Sequence, residues 1–574
     1  MELNGRNGAN KRKGKRQSFL YGALILTAGM AVVKVVGALF KIPLKYAIGE
    51  YGMGLFNVAY NFYGPVLSLA TAGFPIAVSR MVSESSSLGR WNDVRQTKRV
   101  ALPMFLAFGA VGMVLMTLLA PFYCGSVIGN SNALYPMLAL APAILFACVG
   151  SVYRGYYEGL RDMTPTAVSE VVEAVVKLGV GLSAACAVVS AGTEEYAAAG
   201  TVFGLSPATP DEAVFLTLAF AAAGAILGVT VGSMASLAYL VLRYRARESG
   251  NGALHREAPP ARSRRETARK LLRITVPVAV GSIAMNVAGL IDATFLQSRI
   301  GDIMTDSPQR LLAAYRGMIP AVYLENPDSI PTFLYGCYTL ALTVYLLVPA
   351  ITQAFGISAL PSVTEAWTKG DRRELGKRMD SVLRMTALFC FPAGLGISAL
   401  AGPITRVLYG SDEASPIIAG SLALLGAASL AAAMSTPLSS MLQAVGRADL
   451  PVKLLFGAMG IKIAVNWVLC GIPEVNIQGA GVGTLLCYLF LVASQLWCLH
   501  RVTRERFSLP RLFLRPLACA ALCGLAARAA YGLASPLLPS SGGGEALCVA
   551  FSVAVGACVY AAGLLILRGI RKNE

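Results

Sequence analysis

The sequence predicts an all-α integral membrane protein of about fourteen transmembrane helices, as two pseudo-symmetric six-helix lobes plus two C-terminal helices. Three observations predict it. Of 574 residues, 55% are hydrophobic and 14% charged, a charge fraction far below that of soluble domains. Apolar runs of about twenty residues recur between short charged or Gly/Pro-rich breaks, and one such run crosses about 30 Å of hydrocarbon as a helix. The second half also repeats the plan of the first. Gly64-Pro65-Val66 and Ala72-Gly73-Phe74-Pro75, with a basic stretch ending in Lys98-Arg99, return as Val348-Pro349-Ala350, Phe355-Gly356 and Pro361, with Lys377-Arg378. Tyr157-Glu158-Gly159-Leu160-Arg161 with Pro165 is answered by Gln443-Ala444-Val445-Gly446-Arg447 with Pro451. Two like bundles in one chain point to a transporter with a central site between its halves.

In order, the spans are expected at 19–41, 54–80, 100–122, 133–158, 166–190, 213–242, 272–296, 332–362, 385–408, 416–443, 453–472, 479–500, 512–533 and 546–568. Residues 1–18 read as a basic tail, and the run from Phe19 has no small-residue cleavage site near its end, so it reads as the first span. Spans one to six form an N-lobe over 19–242. A basic linker with Pro259-Pro260 covers 243–271, and spans seven to twelve form a C-lobe over 272–500. Residues 501–574 hold the last two spans and a tail. Prolines inside spans (Pro65, Pro75, Pro142, Pro277, Pro349, Pro392) permit kinks where a neighbour or cavity water satisfies the freed carbonyls.

The net charge of +18 does not indicate nucleic acid, because of where the charges lie. Basic residues cluster in the N-terminal tail, around 90–99, in 243–273, in 369–384, in 501–515 and at the C-terminus. Acidic or neutral breaks alternate with them: Glu194-Glu195, Asp211-Glu212, Asp412-Glu413 and Glu474. This is the positive-inside pattern, and an even span count puts both termini in the cytoplasm. Arg299, Arg310 and Arg316 run against it. The 12 cysteines lie mostly in apolar segments without metal-ligand spacing and read as small buried hydrophobes. There is no nucleotide-binding P-loop and no His-Glu-x-x-His, so energy is expected from an ion gradient, the membrane potential or the substrate gradient.

Ionisable residues inside spans are costly and therefore candidates for function. Lys34, Lys41 and Lys45 are spaced by seven and four, so they share one face of span one and suggest an anion-binding wall. Snorkelling to the interface accounts equally for Lys41 and Lys45. Asn57, Tyr60 and Asn61 form a polar stripe on span two, suited to a hydroxyl-rich ligand or to helix–helix hydrogen bonds. Arg154, Glu158, Glu170, Glu173 and Lys177 form a charged group on spans four and five. Glu173 with Lys177 reads as an i, i+4 pair, serving as internal pairing, cavity lining or a gate. Asp292 needs a partner, a proton or a cation. With Asn466 and Thr484 it offers oxygens for Na⁺, while an ion pair with Lys462 explains the same residues without a metal.

Several stretches resemble one family. Gly29-Met30 with Lys34 and Gly37, Phe40-Lys41-Ile42-Pro43-Leu44, Tyr51-Gly52-Met53-Gly54-Leu55-Phe56-Asn57 and Ala72-Gly73-Phe74-Pro75-Ile76-Ala77-Val78-Ser79 are similar to polysaccharide-biosynthesis flippases related to stage V sporulation protein B. So are Arg154-Gly155-Tyr156-Tyr157-Glu158-Gly159 and Gln443-Ala444-Val445-Gly446-Arg447. The wider group is the multidrug/oligosaccharidyl-lipid/polysaccharide exporter superfamily, with its MurJ-type lipid II flippases. The resemblance covers roughly 17–500. It implies two lobes in alternating access, cavity cations such as Lys34 and Lys41 on a lipid diphosphate, and a tail groove at helices thirteen and fourteen. It also implies Na⁺ or H⁺ coupling with no other cofactor, and a Na⁺ site on helices seven, eleven and twelve that Asp292, Asn466 and Thr484 resemble. The family's carboxylate one turn after the asparagine is Cys470 here.

The expected function is a flippase moving an undecaprenyl-diphosphate-linked sugar, lipid II or a related cell-envelope precursor, to the outer leaflet of the bacterial inner membrane. A MATE-like multidrug/cation antiporter is the alternative, and a scaffold in envelope synthesis or a glycosyltransferase are further readings. Expected partners are membrane lipid, the lipid-linked oligosaccharide and cell-envelope synthesis proteins, with no nucleic acid. The chain is expected to be a monomer.

Overall fold

The computed structural model describes residues 19–71, 73–248, 259–505, 510–537 and 542–566. The basic tail at 1–18, the middle of the linker and the C-terminal tail lie outside the described residues. The chain is an all-α, multi-pass membrane protein. Its first half holds α1 (Phe19–Thr71), α2 (Phe74–Ser87), α3 (Trp91–Phe122), α4 (Leu134–Gly159), α5 (Thr164–Ala199) and α6 (Pro210–Glu248). The second half holds α7 (Arg264–Asp306), the short α8 (Pro308–Ala314) and α9 (Ala321–Glu325), α10 (Ile330–Tyr345), α11 (Leu347–Thr368), α12 (Arg372–Ala399), α13 (Ala401–Tyr409), α14 (Ser415–Ala444), α15 (Asp449–Leu469) and α16 (Ile477–Thr503). Two more follow, α17 (Arg515–Ala534) and α18 (Gly542–Ile566). Among the described residues, eleven helices are long and apolar enough to cross a membrane. The other three expected spans, 19–41, 54–80 and 272–296, fall on α1, α2 and α7.

A straight helix of 53 residues would run about 80 Å, far beyond the hydrocarbon. The chain solves this at Gly49, whose φ of 62° and ψ of −175° break α1 into arms at 19–48 and 50–71. The arms fold back on each other. Phe40 and Phe56 rings meet at 5.9 Å, and Lys41 Nζ donates to Asn57 Oδ1 at 3.3 Å, so residues equidistant from Gly49 come together. That backbone conformation is open to glycine almost alone. Gly49→Val is expected to cost about 1–3 kcal/mol, read as a lower thermal midpoint in detergent.

Proline chemistry sets two further breaks. Pro75, at the start of α2, has no N–H for the Thr71 carbonyl, and the helix stops at Thr71 and resumes at Phe74. Pro349 likewise offers nothing to the Tyr345 carbonyl, and α10 gives way to α11 at Leu346. Both prolines lie in the repeated stretches, but Pro75 answers Pro361 and Pro349 answers Pro65, so the two halves are interrupted at different prolines of the motif. The repeat is visible in the helix ends as well. The same 285 residues separate the end of α4 from that of α14, and the start of α5 from that of α15.

Packing differs between the two ends of the bundle. The largest core joins both halves: Leu44, Tyr51 and Phe56 pack with Tyr335, Tyr338 and Leu422. Toward the end that carries the basic segments, two separate cores replace it. One is built from α2, α3, α4 and α6 with Leu271 of α7 (Phe74, Phe105, Tyr157, Leu240), the other from α11, α12, α14, α16, α17 and α18 (Val363, Met379, Leu438, Leu499, Cys519, Tyr560). The halves are therefore fused through one large core at the far end, while at the basic end it is α7 that joins them, with Leu271 buried in the first of the two smaller cores. Arg406, Tyr531 and Glu545 tie the last two helices on: Arg406 Nε meets Glu545 Oε1 at 2.5 Å, and its Nη2 donates to Tyr531 Oη at 2.8 Å.

Candidate functional site

The cationic residues separate into two groups. Lys34 is exposed, and Lys41 is half-buried with Asn57 as its hydrogen-bond partner. Lys177 reaches them from α5: its Nζ donates to Tyr60 Oη at 2.9 Å and lies 5.1 Å from the Phe40 ring centre. Lys177 and Lys34 both repel the Lys41 ammonium. Among the described residues, none of the three has a carboxylate oxygen within 4.0 Å. The sequence pattern had paired Lys177 with Glu173. Instead, Arg154 Nη2 takes Glu173 Oε2 at 2.9 Å, and Ser233 donates to Glu173 Oε1 at 2.9 Å. Two donors from α4 and α6 leave Lys177 to the other charge group.

Lys45 departs from the expected wall. It is 4% exposed, sits 3.3 Å from Glu50, contacts Asp412, and donates to the Tyr409 carbonyl at 2.7 Å. The cause is position: Lys45 lies just before the Gly49 turn, at the end where the halves meet, and the turn brings Glu50 back beside it. Tyr46 Oη donates to the Leu408 carbonyl at 3.2 Å, extending the same latch between α1 and α13. Lys45→Ala leaves Glu50 buried without its cation, a loss of about 3–5 kcal/mol in such pairs. Maleimide labelling of a Thr332→Cys reporter, buried where the halves meet, is expected to rise severalfold in this variant. Unchanged labelling would show that the apolar contacts close this end alone.

Asn57 and Asn61 also bridge the halves. Asn57 Nδ2 donates to Thr339 Oγ1 at 3.1 Å, and Asn61 Nδ2 to Tyr335 Oη at 2.5 Å. Of the polar stripe, Asn57 alone touches both the far-end seam and a cation. Arg154 is the hub of a network in the first half, donating also to Ser169 at 3.2 Å and Ser236 at 3.0 Å, with Glu170 at 4.0 Å. Glu158 stands at its edge, accepting from Thr166 at 3.4 Å. These charges satisfy one another, as internal pairing requires.

In the second half, Asp292 has both oxygens taken. Lys462 Nζ donates to Oδ2 at 2.8 Å and Asn466 Nδ2 to Oδ1 at 2.9 Å, with the carboxylate and ammonium side chains each 7% exposed. Of the two readings the sequence left open, the ion pair is the one drawn here. Na⁺ would suit the oxygens of Asp292, Asn466 and Thr484 only with Lys462 displaced, although Asn466 Oδ1 is buried and accepts no hydrogen bond. No group of three or more His, Cys, Asp or Glu is placed to hold a metal among the described residues.

Sequence reasoning missed the seams. Asn130, in the loop after α3, donates to Thr332 at 2.8 Å and to Tyr51 at 3.0 Å, and Thr332 donates to Gln297 at 3.1 Å. At the basic end, Lys270 meets Glu84 at 2.8 Å, and the Arg262 N–H donates to Asp93 at 2.7 Å. Uncharged residues far apart in the chain give no periodic signal. Asp93, a lone acid in a basic stretch, was the one hint available.

With this geometry described, known proteins offer a comparison. The family model for polysaccharide biosynthesis protein matches residues 19–367, and that for lipid II flippase MurJ matches 333–540. The chain is 24% identical over 559 residues to lipid II flippase MurJ of Bacillus subtilis (strain 168), covering 94% of each chain. It is also 24% identical over 564 residues to stage V sporulation protein B of that organism, covering 97% of each. Among solved structures, it resembles lipid II flippase MurJ in an inward closed conformation, with a TM-score of 0.59 and 13% identity over 95% of this chain and 99% of that one. An inward-facing MATE family transporter of the MOP superfamily follows, with a TM-score of 0.54 and 13% identity over 83% and 95%. At such identity, the two structures speak for the fold alone.

Proposed function

The chain belongs to the polysaccharide biosynthesis protein family, and from that premise we propose that it is a flippase for lipid II or a related undecaprenyl-diphosphate-linked sugar. Two Bacillus subtilis relatives over nearly the whole chain, one named a lipid II flippase and one a sporulation protein, support a lipid-linked precursor as cargo. The observation that carries the reading is the cluster of Lys34, Lys41 and Lys177 without carboxylate partners. Unpaired cations inside a membrane protein are costly, and an anionic ligand offsets that cost when it binds. A cation-exporting MATE-like antiporter would need the opposite charge at this place.

The chemistry follows from the two parts of such a lipid. Its polar headgroup cannot cross hydrocarbon unaided, while its polyprenyl tail need never leave it. Lysines hold the diphosphate as point charges without fixing its orientation, which suits a group that must be released. The headgroup enters from the basic end once the contacts around the start of α7, Lys270–Glu84 and Arg262–Asp93, part, and release on the other side requires the far-end seam to open. Lys45–Asp412, Asn57–Thr339 and Asn61–Tyr335 are the contacts that then break. The two lobes rock against each other, and α17 and α18 flank the path of the tail. We place the protein in the bacterial inner membrane with both termini cytoplasmic, acting as a monomer beside cell-envelope synthesis proteins. Coupling to Na⁺ would act by competition with Lys462 for Asp292.

The test is rescue of bacteria depleted of their own lipid II flippase, with outer-leaflet lipid II as the readout. Wild type and Lys34→Ala are compared at matched membrane levels. Rescue by wild type alone supports both cargo and site, and rescue by both removes Lys34 from the site. Rescue by neither sinks lipid II as the cargo.

A further inference from the structure

Lys177 is the member of the cationic cluster to which the flippase reading gives no role of its own. Lys34 and Lys41 lie on one face of the first arm of α1, and two cations are enough to hold a single phosphate. The third comes from a different helix. Lys177 is carried on α5, crosses toward the Phe40 ring, which adjoins Lys41 in the chain, and is steadied by Tyr60 Oη at 2.9 Å. Glu173 attracts it from a distance, but no carboxylate among the described residues is in contact with it. Glu173, one turn earlier on α5, is held by Arg154 and Ser233, and Glu170 faces Arg154. No other titratable group within hydrogen-bond reach of Lys177 carries a negative charge among the described residues.

A carrier of this kind works in a bilayer crowded with lipids that carry one phosphate. Discrimination against them requires a term that grows with the second phosphate of the cargo. Electrostatic attraction scales with the product of the charges, so a further cation favours the more highly charged headgroup most. We propose, building on the flippase reading, that Lys177 makes the site select a lipid diphosphate over a lipid monophosphate. In this arrangement Lys34 and Lys41 receive the first phosphate and Lys177 the second. Lys462 of the second half does not join them, since it is committed to Asp292.

The experiment measures binding of farnesyl diphosphate and farnesyl monophosphate to the purified full-length protein in detergent. The tails are identical and cancel in the ratio of affinities. Wild type is expected to favour the diphosphate, and Lys177→Gln to lower that preference about tenfold, equivalent to about 1.4 kcal/mol, with monophosphate binding little changed. Lys177→Arg, which keeps the charge, should retain the preference. A preference unchanged in Lys177→Gln overturns the assignment while the flippase reading stands. Loss of both ligands in Lys177→Gln also overturns it, because Lys177 would then be a general requirement rather than a selector. Wild type that binds neither ligand overturns the flippase reading and this inference together.

Discussion

Lys41→Met is expected to reduce flipping about a hundredfold in proteoliposomes while the empty protein becomes slightly more stable. The two effects have opposite signs because they act on different states. In the empty protein Lys41 is half-buried, donates to no carboxylate among the described residues, and has Lys34 and Lys177 as like-charged neighbours. Removing its charge relieves repulsion and desolvation, so the thermal midpoint should hold or rise by a few degrees. In the loaded protein the same ammonium is paired with the cargo, and truncating one partner of a desolvated charge pair costs about 2–5 kcal/mol. Stability given up for a binding site is a common signature of function. The measurement pairs a flipping assay with thermal unfolding of the same preparation. Transport within twofold of wild type would remove Lys41 from the site. Lost transport with a lowered midpoint would identify it as structural.

Much of this arrangement was legible in the sequence, and what was not has a physical cause. Composition and apolar run length give an all-α membrane protein because hydrocarbon admits few other solutions. Pro75 and Pro349 mark the two interrupted helices because a missing N–H acts locally, although their counterparts in the repeat, Pro361 and Pro65, are carried inside helices. The i, i+3 and i+4 rules assign a residue to a helix face but not to a partner. Lys45 shares its face with Lys34 and Lys41, yet the Gly49 turn and the α13 loop supply Glu50 and Asp412 to it. Glu173 and Lys177 have the spacing of a pair, yet Arg154 wins the carboxylate because its guanidinium also satisfies Ser169 and Ser236. In both cases an unseen neighbouring helix decides. Asp292 and Lys462 stand out because few charges lie at that depth in the second half, yet the sequence left an ion pair and a Na⁺ site equally open.

Breaking the Asp292–Lys462 pair is expected to destabilise the protein by about 3–5 kcal/mol in either single variant, Asp292→Asn or Lys462→Met, because each leaves a buried charge unmatched. Replacing both, as Asp292→Leu with Lys462→Met, should return stability to near the wild-type value, since well-packed apolar residues often equal or exceed a buried pair. Lys462→Met is the more informative variant, as it leaves Asp292 with Asn466 and Thr484 beside it and no cation. If the oxygens form a latent Na⁺ site, Na⁺ at about 100 times its dissociation constant should restore about 2.7 kcal/mol to this variant. Wild type, whose ammonium already fills the place, should gain nothing from the same salt relative to choline chloride. Equal stabilisation of both proteins by Na⁺ would mean that Lys462 does not compete with the ion. A Lys462→Met protein indifferent to Na⁺ would show that these residues hold an internal ammonium and are unsuited to a metal.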